Sequence, residues 1–168
     1  EAKESILKNL GTISHEVFFT SCGSESDNMA IFCVVKRGVF ITDKGEHSAV
    51  YKCFLELKNK GQKVEFIDLN SDGSVNVDKF CTFIKNNNVD FVSILHVNNE
   101  TGAINDVNDI AKKIKAINNK IIFHVDGVQA YGKIPFRLST DIDLYSISAH
   151  KINALKGTGA LLKRKGVN

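Results

Sequence analysis

Apolar residues recur along this chain with two different periods, and the periods take turns. The stretches "EVFFT" (16–20), "VFIT" (39–42), "KVEFID" (63–68), "VDFVSILHV" (89–97), "KIIFHVD" (120–126), "DLYSIS" (143–148) and "GALLKR" (159–164) are short and rich in β-branched and aromatic residues. They predict strands. Between them lie segments with helical spacing: "ESDNMAIFCVVKR" with Met29, Ile31, Phe32, Val34 and Val35, then "SAVYKCFLELKNKG" ending at Gly61, "VDKFCTFIKNN" and "NDIAKKIKAINN". "NSDGS" (70–74) is turn chemistry, and the single proline, Pro135, falls in a loop. Strands alternating with helices of about 10 to 15 residues predict βαβ units. The expected fold class is α/β, a three-layer α/β/α sandwich around a mostly parallel, mixed sheet.

The chain has 168 residues, enough for one domain that buries about 70% of its unfolded surface. Hydrophobic residues make up 43% and charged residues 24%, which excludes a disordered or collagenous chain. The formal charge of +3 is scattered along the sequence, which argues against direct nucleic-acid binding. No apolar run reaches the roughly 18 residues of a membrane span, so no membrane partner is expected. Cys22, Cys33, Cys53 and Cys81 lie far apart without a C-x-x-C pair. Free thiols are expected, and with them a reducing, cytoplasmic setting. The opening "EAKESILKNLGTIS" reads as a helix already under way, so a preceding segment is expected to be missing.

In a doubly wound sheet, ligands sit beyond the carboxyl ends of the strands. Five such ends are polar here: "TSCGSESDN", "TDKGEH", "HVNNETG", "HVDGVQA" and "SISAHK". Gly23 and Ser24 open a helix, whose free amides and positive dipole end suit an anion; Ser24 also suits a plain N-cap. His47 stands at a helix start, where it can cap the helix or cover a flat ligand. Asn98 and Asn99 end a buried strand and need partners, which a tight turn before Gly102 can provide. Asp126 closes a nearly continuous apolar strand, where a carboxylate needs a cation or strong donor, or else N-caps a helix at "GVQA". Gln129 follows one turn later. Lys151, between Ser148 with His150 and an apolar run, is placed for partial desolvation, which makes an amine a better Schiff-base former. Alternatively, it snorkels from its strand end.

One ligand accounts for all five ends, namely pyridoxal 5'-phosphate. Its aldehyde needs a lysine, its ring nitrogen a carboxylate, its phosphate a helix N-terminus with hydroxyls, and its ring a flat cover.

The blocks "FTSCGSESDN", "EHSAV", "HVNNETGAIND", "FHVDGVQAYGKIP" and "SISAHKI...KGTGAL" resemble, in order and spacing, the large domain of cysteine desulfurases of the NifS/IscS group, class V aminotransferase-like enzymes of fold-type I. The resemblance covers nearly all of residues 1–168 and implies a partial large domain, without an N-terminal segment or the C-terminal small domain. It implies that Lys151 holds the cofactor, Asp126 pairs with the ring nitrogen, and His47 stacks on the ring. Asn99 and Gln129 match residues near the ring hydroxyl, and Gly23, Ser24, Ser148 and His150 match the phosphate cradle. Lys151, His47 and Asp126 are the implied catalytic residues; no metal is implied. The implied reaction converts L-cysteine to L-alanine, in a homodimer, with sulfur passed as an enzyme persulfide to an iron–sulfur scaffold or tRNA-thiolation acceptor protein.

The family's sulfur-accepting cysteine lies on a loop far downstream of its lysine, and none of the four cysteines here matches it. Cys33, Cys53 and Cys81 fall in predicted helices and Cys22 in the phosphate loop. The piece alone is therefore expected to be inactive. Ser24 stands for the family's usual Thr, Cys22 for a smaller residue, and "NAL" (153–155) for an aromatic-or-His, Gly, Pro turn. Rival readings are a selenocysteine lyase, a small-molecule aminotransferase, or a non-catalytic domain that keeps the fold. A nucleotide-binding domain is disfavoured, since no G-x-G-x-x-G follows the first strand.

Overall fold

The computed structural model describes residues 1–34 and 37–167. Val35, one of the expected apolar helix positions, lies outside them. Every predicted strand forms, as do the opening helix and the four helices predicted between strands. The strands are β1 (His15–Thr20), β2 (Val39–Asp43), β3 (Val64–Ile67), β4 (Val89–Leu95), β5 (Ile122–Asp126), β6 (Leu144–Ser148) and β7 (Gly159–Arg164). The helices are α1 (Ala2–Asn9), α2 (Gly23–Phe32), α3 (Ser48–Asn59), α4 (Val77–Asn86) and α5 (Val107–Ile117), with a 3-10 turn at Ala149–Ile152.

The seven strands form one sheet in the order β1-β7-β6-β5-β4-β2-β3. Pairs β2/β3, β2/β4, β4/β5 and β5/β6 are parallel, and only β7 runs against its neighbours β1 and β6. Successive strands extend in opposite directions from the centre, which opens a crevice at their carboxyl ends.

Two cores cover the two faces. On one, α4 and α5 bury Phe80, Ile84, Ile110 and Ile114 against Val92, Ile94, Phe123, Val125 and Leu162. On the other, α2 and α3 bury Ala30, Ile31, Val50 and Phe54 against Phe40, Phe91, Ile122 and Leu144. Strands β5 and β6 are buried at every position, which is why their sequences lack alternation.

Helix starts follow capping chemistry. Asn76 accepts from Lys79 N at 3.0 Å and Asp106 from Asp109 N at 3.0 Å. Helix α2 is shorter than its sequence pattern suggests. Its sheet-facing stripe of Gly23, Ser26, Asp27, Ala30 and Ile31 ends there, and Cys33 beyond it is an exposed C-cap rather than a helix-face residue. No helix follows β5 either. Residues 128–133 form consecutive turns, so Asp126 does not N-cap a helix; its Oδ1 accepts from Val128 N at 2.9 Å in a local turn.

Candidate functional site

A cavity of about 200 Å³ opens where β1, β2, β4, β5 and β6 end. Its lining includes Cys22, Gly23 and Ser24 after β1, His47 after β2, Asn99 after β4, Asp126 and Gln129 at the end of β5, and His150 and Lys151 after β6. The strand ends named from sequence therefore meet in one place. Ser148 is not part of the lining, but its hydroxyl shares a 2.8 Å hydrogen bond with His150 Nδ1 and so anchors that ring from behind.

Each contributor is held by a local device. Gly23 lies against the sheet, where a Cβ would come within 2.7 Å of Val128 Cγ2 and 3.1 Å of Ser148 Cβ. Only glycine lets α2 begin this close to the cavity. No side chain caps α2, because Glu25 folds back to accept from Ser21 N and Oγ, so the first amides of the helix are left for an anion. His47 caps α3, its Nδ1 accepting from Ala49 N at 3.2 Å, and also lines the cavity; the capping and ligand-facing readings hold together.

The adjacent asparagines divide the work. Asn98 is buried and its Oδ1 closes the turn by accepting from Glu100 N and Thr101 N, while Asn99 faces the cavity. Gln129 Oε1 accepts from Lys133 Nζ at 2.9 Å, which leaves its amide hydrogens to the site. Lys151 lines the cavity from the 3-10 turn but is exposed, so these residues do not supply the desolvation expected of a strand-end lysine. The turn closes at Asn153, the one non-glycine among the described residues with a left-handed backbone, φ 59°. Asparagine tolerates that region, which is how "NAL" reverses the chain without glycine.

Electrostatically the site is acid-rich. Burial holds the Asp126 carboxyl above its usual range, opposed by the Val128 amide and by His47. Among the described residues Asp126 makes no ion pair. Burial pushes Asp43 up to about 6. Glu46, with both carboxylate oxygens buried and unpartnered, is driven far up by burial and then by the charge of Asp43. A cation entering at Asp126 would meet a carboxyl that lacks one.

Sequence reasoning missed four contributors. Asp27 lines the cavity, 1% exposed, from one helical turn past Gly23; its place in the stripe 23, 26, 27, 30, 31 was the available signal. Val128 and Leu95 form apolar walls, and nothing in their local sequence marks them. Gly159 starts β7 where a Cβ would meet the Cys22 backbone at 2.6 Å, so it seats the anion-facing turn. Of the cysteines, Cys53 is buried, its thiol donating to Ala49 O and pushed up to about 11, and burial also raises Cys81; only Cys22 is at the cavity.

Known proteins share this fold. The chain is 41% identical over 172 residues to a cysteine desulfurase of Nostoc sp. (strain PCC 7120 / SAG 25.82 / UTEX 2576), covering 99% of this chain and 42% of that one. A solved NifS-like protein superposes with a TM-score of 0.89 at 39% identity, over 99% of this chain and 47% of that chain. A structure of SspA in complex with cysteine does so at 0.85 and 33%, over 95% and 47%. The chain thus spans under half the length of these relatives. With the aminotransferase class-V pattern matching residues 1–168, the fold and the family agree: the chain belongs to the class-V aminotransferase family.

Proposed function

We propose that residues 1–168 are the cofactor-binding part of a pyridoxal-phosphate-dependent cysteine desulfurase. The supporting observation is the convergence of Lys151 and Asp126 on one cavity beneath an uncapped helix N-terminus. A buried carboxyl without an ion pair suits a cationic ring nitrogen, and the tight glycine approach with free α2 amides suits a phosphate. At about 200 Å³ the cavity is smaller than the ~300–1,000 Å³ of drug-sized sites and suits a single substituted ring.

When bound, the cofactor supplies an electron sink at the substrate α-carbon. The chain's own residues do the rest. Lys151 would hold the cofactor through its ε-amine, and its Nζ would take the substrate α-proton. Asp126 would accept the ring N–H and keep that nitrogen charged. His47 would cover the ring face, Asn99 and Gln129 would orient its hydroxyl edge, and Ser24 and His150 would hold the phosphate, with Ser148 anchoring the His150 ring.

The overall exchange balances as L-cysteine plus a protein thiol giving L-alanine plus a protein persulfide. The substrate Cβ–S bond breaks and an S–S bond forms. The accepting thiol is assigned outside residues 1–168, since Cys53 is buried, Cys33 and Cys81 lie away from the cavity, and Cys22 sits at the turn assigned to the phosphate. Transfer onward to an iron–sulfur scaffold or tRNA-thiolation acceptor, a homodimeric state and a cytoplasmic setting belong to this same reading. Among the described residues no helix is long and apolar enough to cross a membrane.

The test uses the full-length protein. Borohydride reduction is expected to leave a pyridoxyl group on Lys151, with label abolished by Lys151→Ala; unchanged label in that variant overturns the assignment. Sulfide release from cysteine exceeding selenide release from selenocysteine separates the desulfurase from the lyase reading.

A further inference from the structure

On the sheet face covered by α2 and α3, side chains lie in three rows. The lowest is apolar, with Phe40, Phe91, Ile122 and Leu144. The highest, at the strand ends, contributes Leu95 and Asp126 to the cavity. Between them runs a polar row of Thr42, Ser93, His124 and Ser146, each 0% exposed. Thr42 Oγ1 donates to Ser93 O at 3.0 Å, Ser93 Oγ pairs with His124 Nδ1 at 2.8 Å, and His124 Nε2 pairs with Ser146 Oγ at 2.9 Å. None of the four lines the cavity.

Asp27 joins this row to the site. It lines the cavity from α2, places Oδ1 3.6 Å from His124 Nε2, and leaves that oxygen buried without a hydrogen-bond partner. Two buried carboxyls, Asp27 and Asp126, therefore border one small space. Two like charges in such a space do not both persist, so one acid keeps its proton. Asp126 has the Val128 amide, which favours its ionised form. Asp27 faces Asp126 and the Cys22 thiol, with Glu46 adding further acid; burial first and the Asp126 charge next hold its carboxyl well above the usual range, the nearby Ser146 hydroxyl opposing only in part. His124 is no cation here, since complete burial pushes it down to about 3.

A neutral imidazole donates from one nitrogen and accepts at the other. If Asp27 carries its proton on Oδ1, it presents O–H towards His124 Nε2, which stays unprotonated and accepts from Ser146 Oγ, while Nδ1–H donates to Ser93 Oγ. If Asp27 is ionised, its Oδ1 draws the proton to Nε2, so the two bonds between the ring and the Ser93 and Ser146 hydroxyls reverse, while the Thr42 bond to the Ser93 carbonyl stays as it is. The tautomer of a ring outside the cavity thus reports the charge of an acid inside it.

We propose that Asp27 is a positioning residue that holds a proton and, facing Nε2 directly, fixes His124 as the Nδ1–H tautomer, leaving Asp126 as the sole charged acid lining the cavity. The purpose assigned here, an ionised Asp126 ready for a cationic ring nitrogen, rests on the proposed cofactor reading; the protonation itself does not. The test is therefore made without cofactor, so that it can fail separately from the borohydride experiment. Full-length protein carrying ¹⁵N-histidine is examined by two-bond ¹⁵N–¹H correlation at neutral pH, with the His124 signal identified by its loss in His124→Gln. The expected wild-type signature is a protonated Nδ1 and an unprotonated Nε2. Asp27→Asn, whose amide N–H can likewise face Nε2, is expected to keep that signature, and infrared difference between the two to show loss of a protonated-carboxyl C=O band. An Nε2–H or doubly protonated His124 in the wild type overturns the proposal even if the variant fails to fold. A reversed tautomer in Asp27→Asn, or no lost band, does so as well.

Discussion

Two buried acids at opposite ends of the strands, Asp143 just ahead of β6 and Asp126 closing β5, are 1% and 3% exposed. Asp143 is saturated: Lys115 Nζ donates to Oδ2, Arg164 pairs with Oδ1 at 2.7 Å, and Phe123 N donates at 2.8 Å. Asp126 has one backbone amide and an open cavity. The same side chain with equal burial thus serves two ends. A carboxylate whose lone pairs are all occupied ties α5, β5 and β7 together, whereas one left short of donors is available to a ligand.

Substitution should separate these roles. Asp143→Ala leaves the Lys115 ammonium buried without its partner and is expected to cost about 3–5 kcal/mol in denaturant unfolding. A loss below about 1 kcal/mol would erase the contrast. Asp126→Ala should unfold close to wild type yet lower turnover of the full-length enzyme by about 10²–10³-fold, the scale of losing one preorganised electrostatic group. Wild-type turnover would remove its electronic role.

Asp43 sharpens the picture through pH. Its folded value of about 6 exceeds the ordinary 3.8, so the folded state binds the proton more tightly than the unfolded one. The stabilisation is complete below about pH 4 and lost as pH rises through about 6, on the order of 3 kcal/mol at most. Unfolding measured across that window should show this decline in the wild type and a flatter profile in Asp43→Asn. The smallest effect concerns Asn153. Asn153→Ala should cost about 1 kcal/mol through its left-handed backbone, and Asn153→Gly should cost less, by thermal unfolding.

The site was more legible in sequence than the groups that support it. Asp126 stood out because a carboxylate ending an apolar strand contradicts its surroundings, and Lys151 because a cation followed the same kind of strand. The saturation of Asp143 was not visible, since Lys115 and Arg164 arrive from residues 28 and 21 positions away. His124 passed as one polar letter in an apolar strand, although it is the centre of a hydrogen-bonded row. Local pattern likewise suggested a helix after Asp126 where the chain forms turns.

From its sequence alone, the chain determined the order and type of its elements and which strand ends are polar. Each strand or helix writes its own burial period into its residues. Only the tertiary structure decided which polar groups face one another, because that depends on lateral register, such as Ser93 beside His124 and Asp126 beside Ser146. Register between parallel strands joined by long crossovers is set by packing on both faces of the sheet, and no single segment carries it.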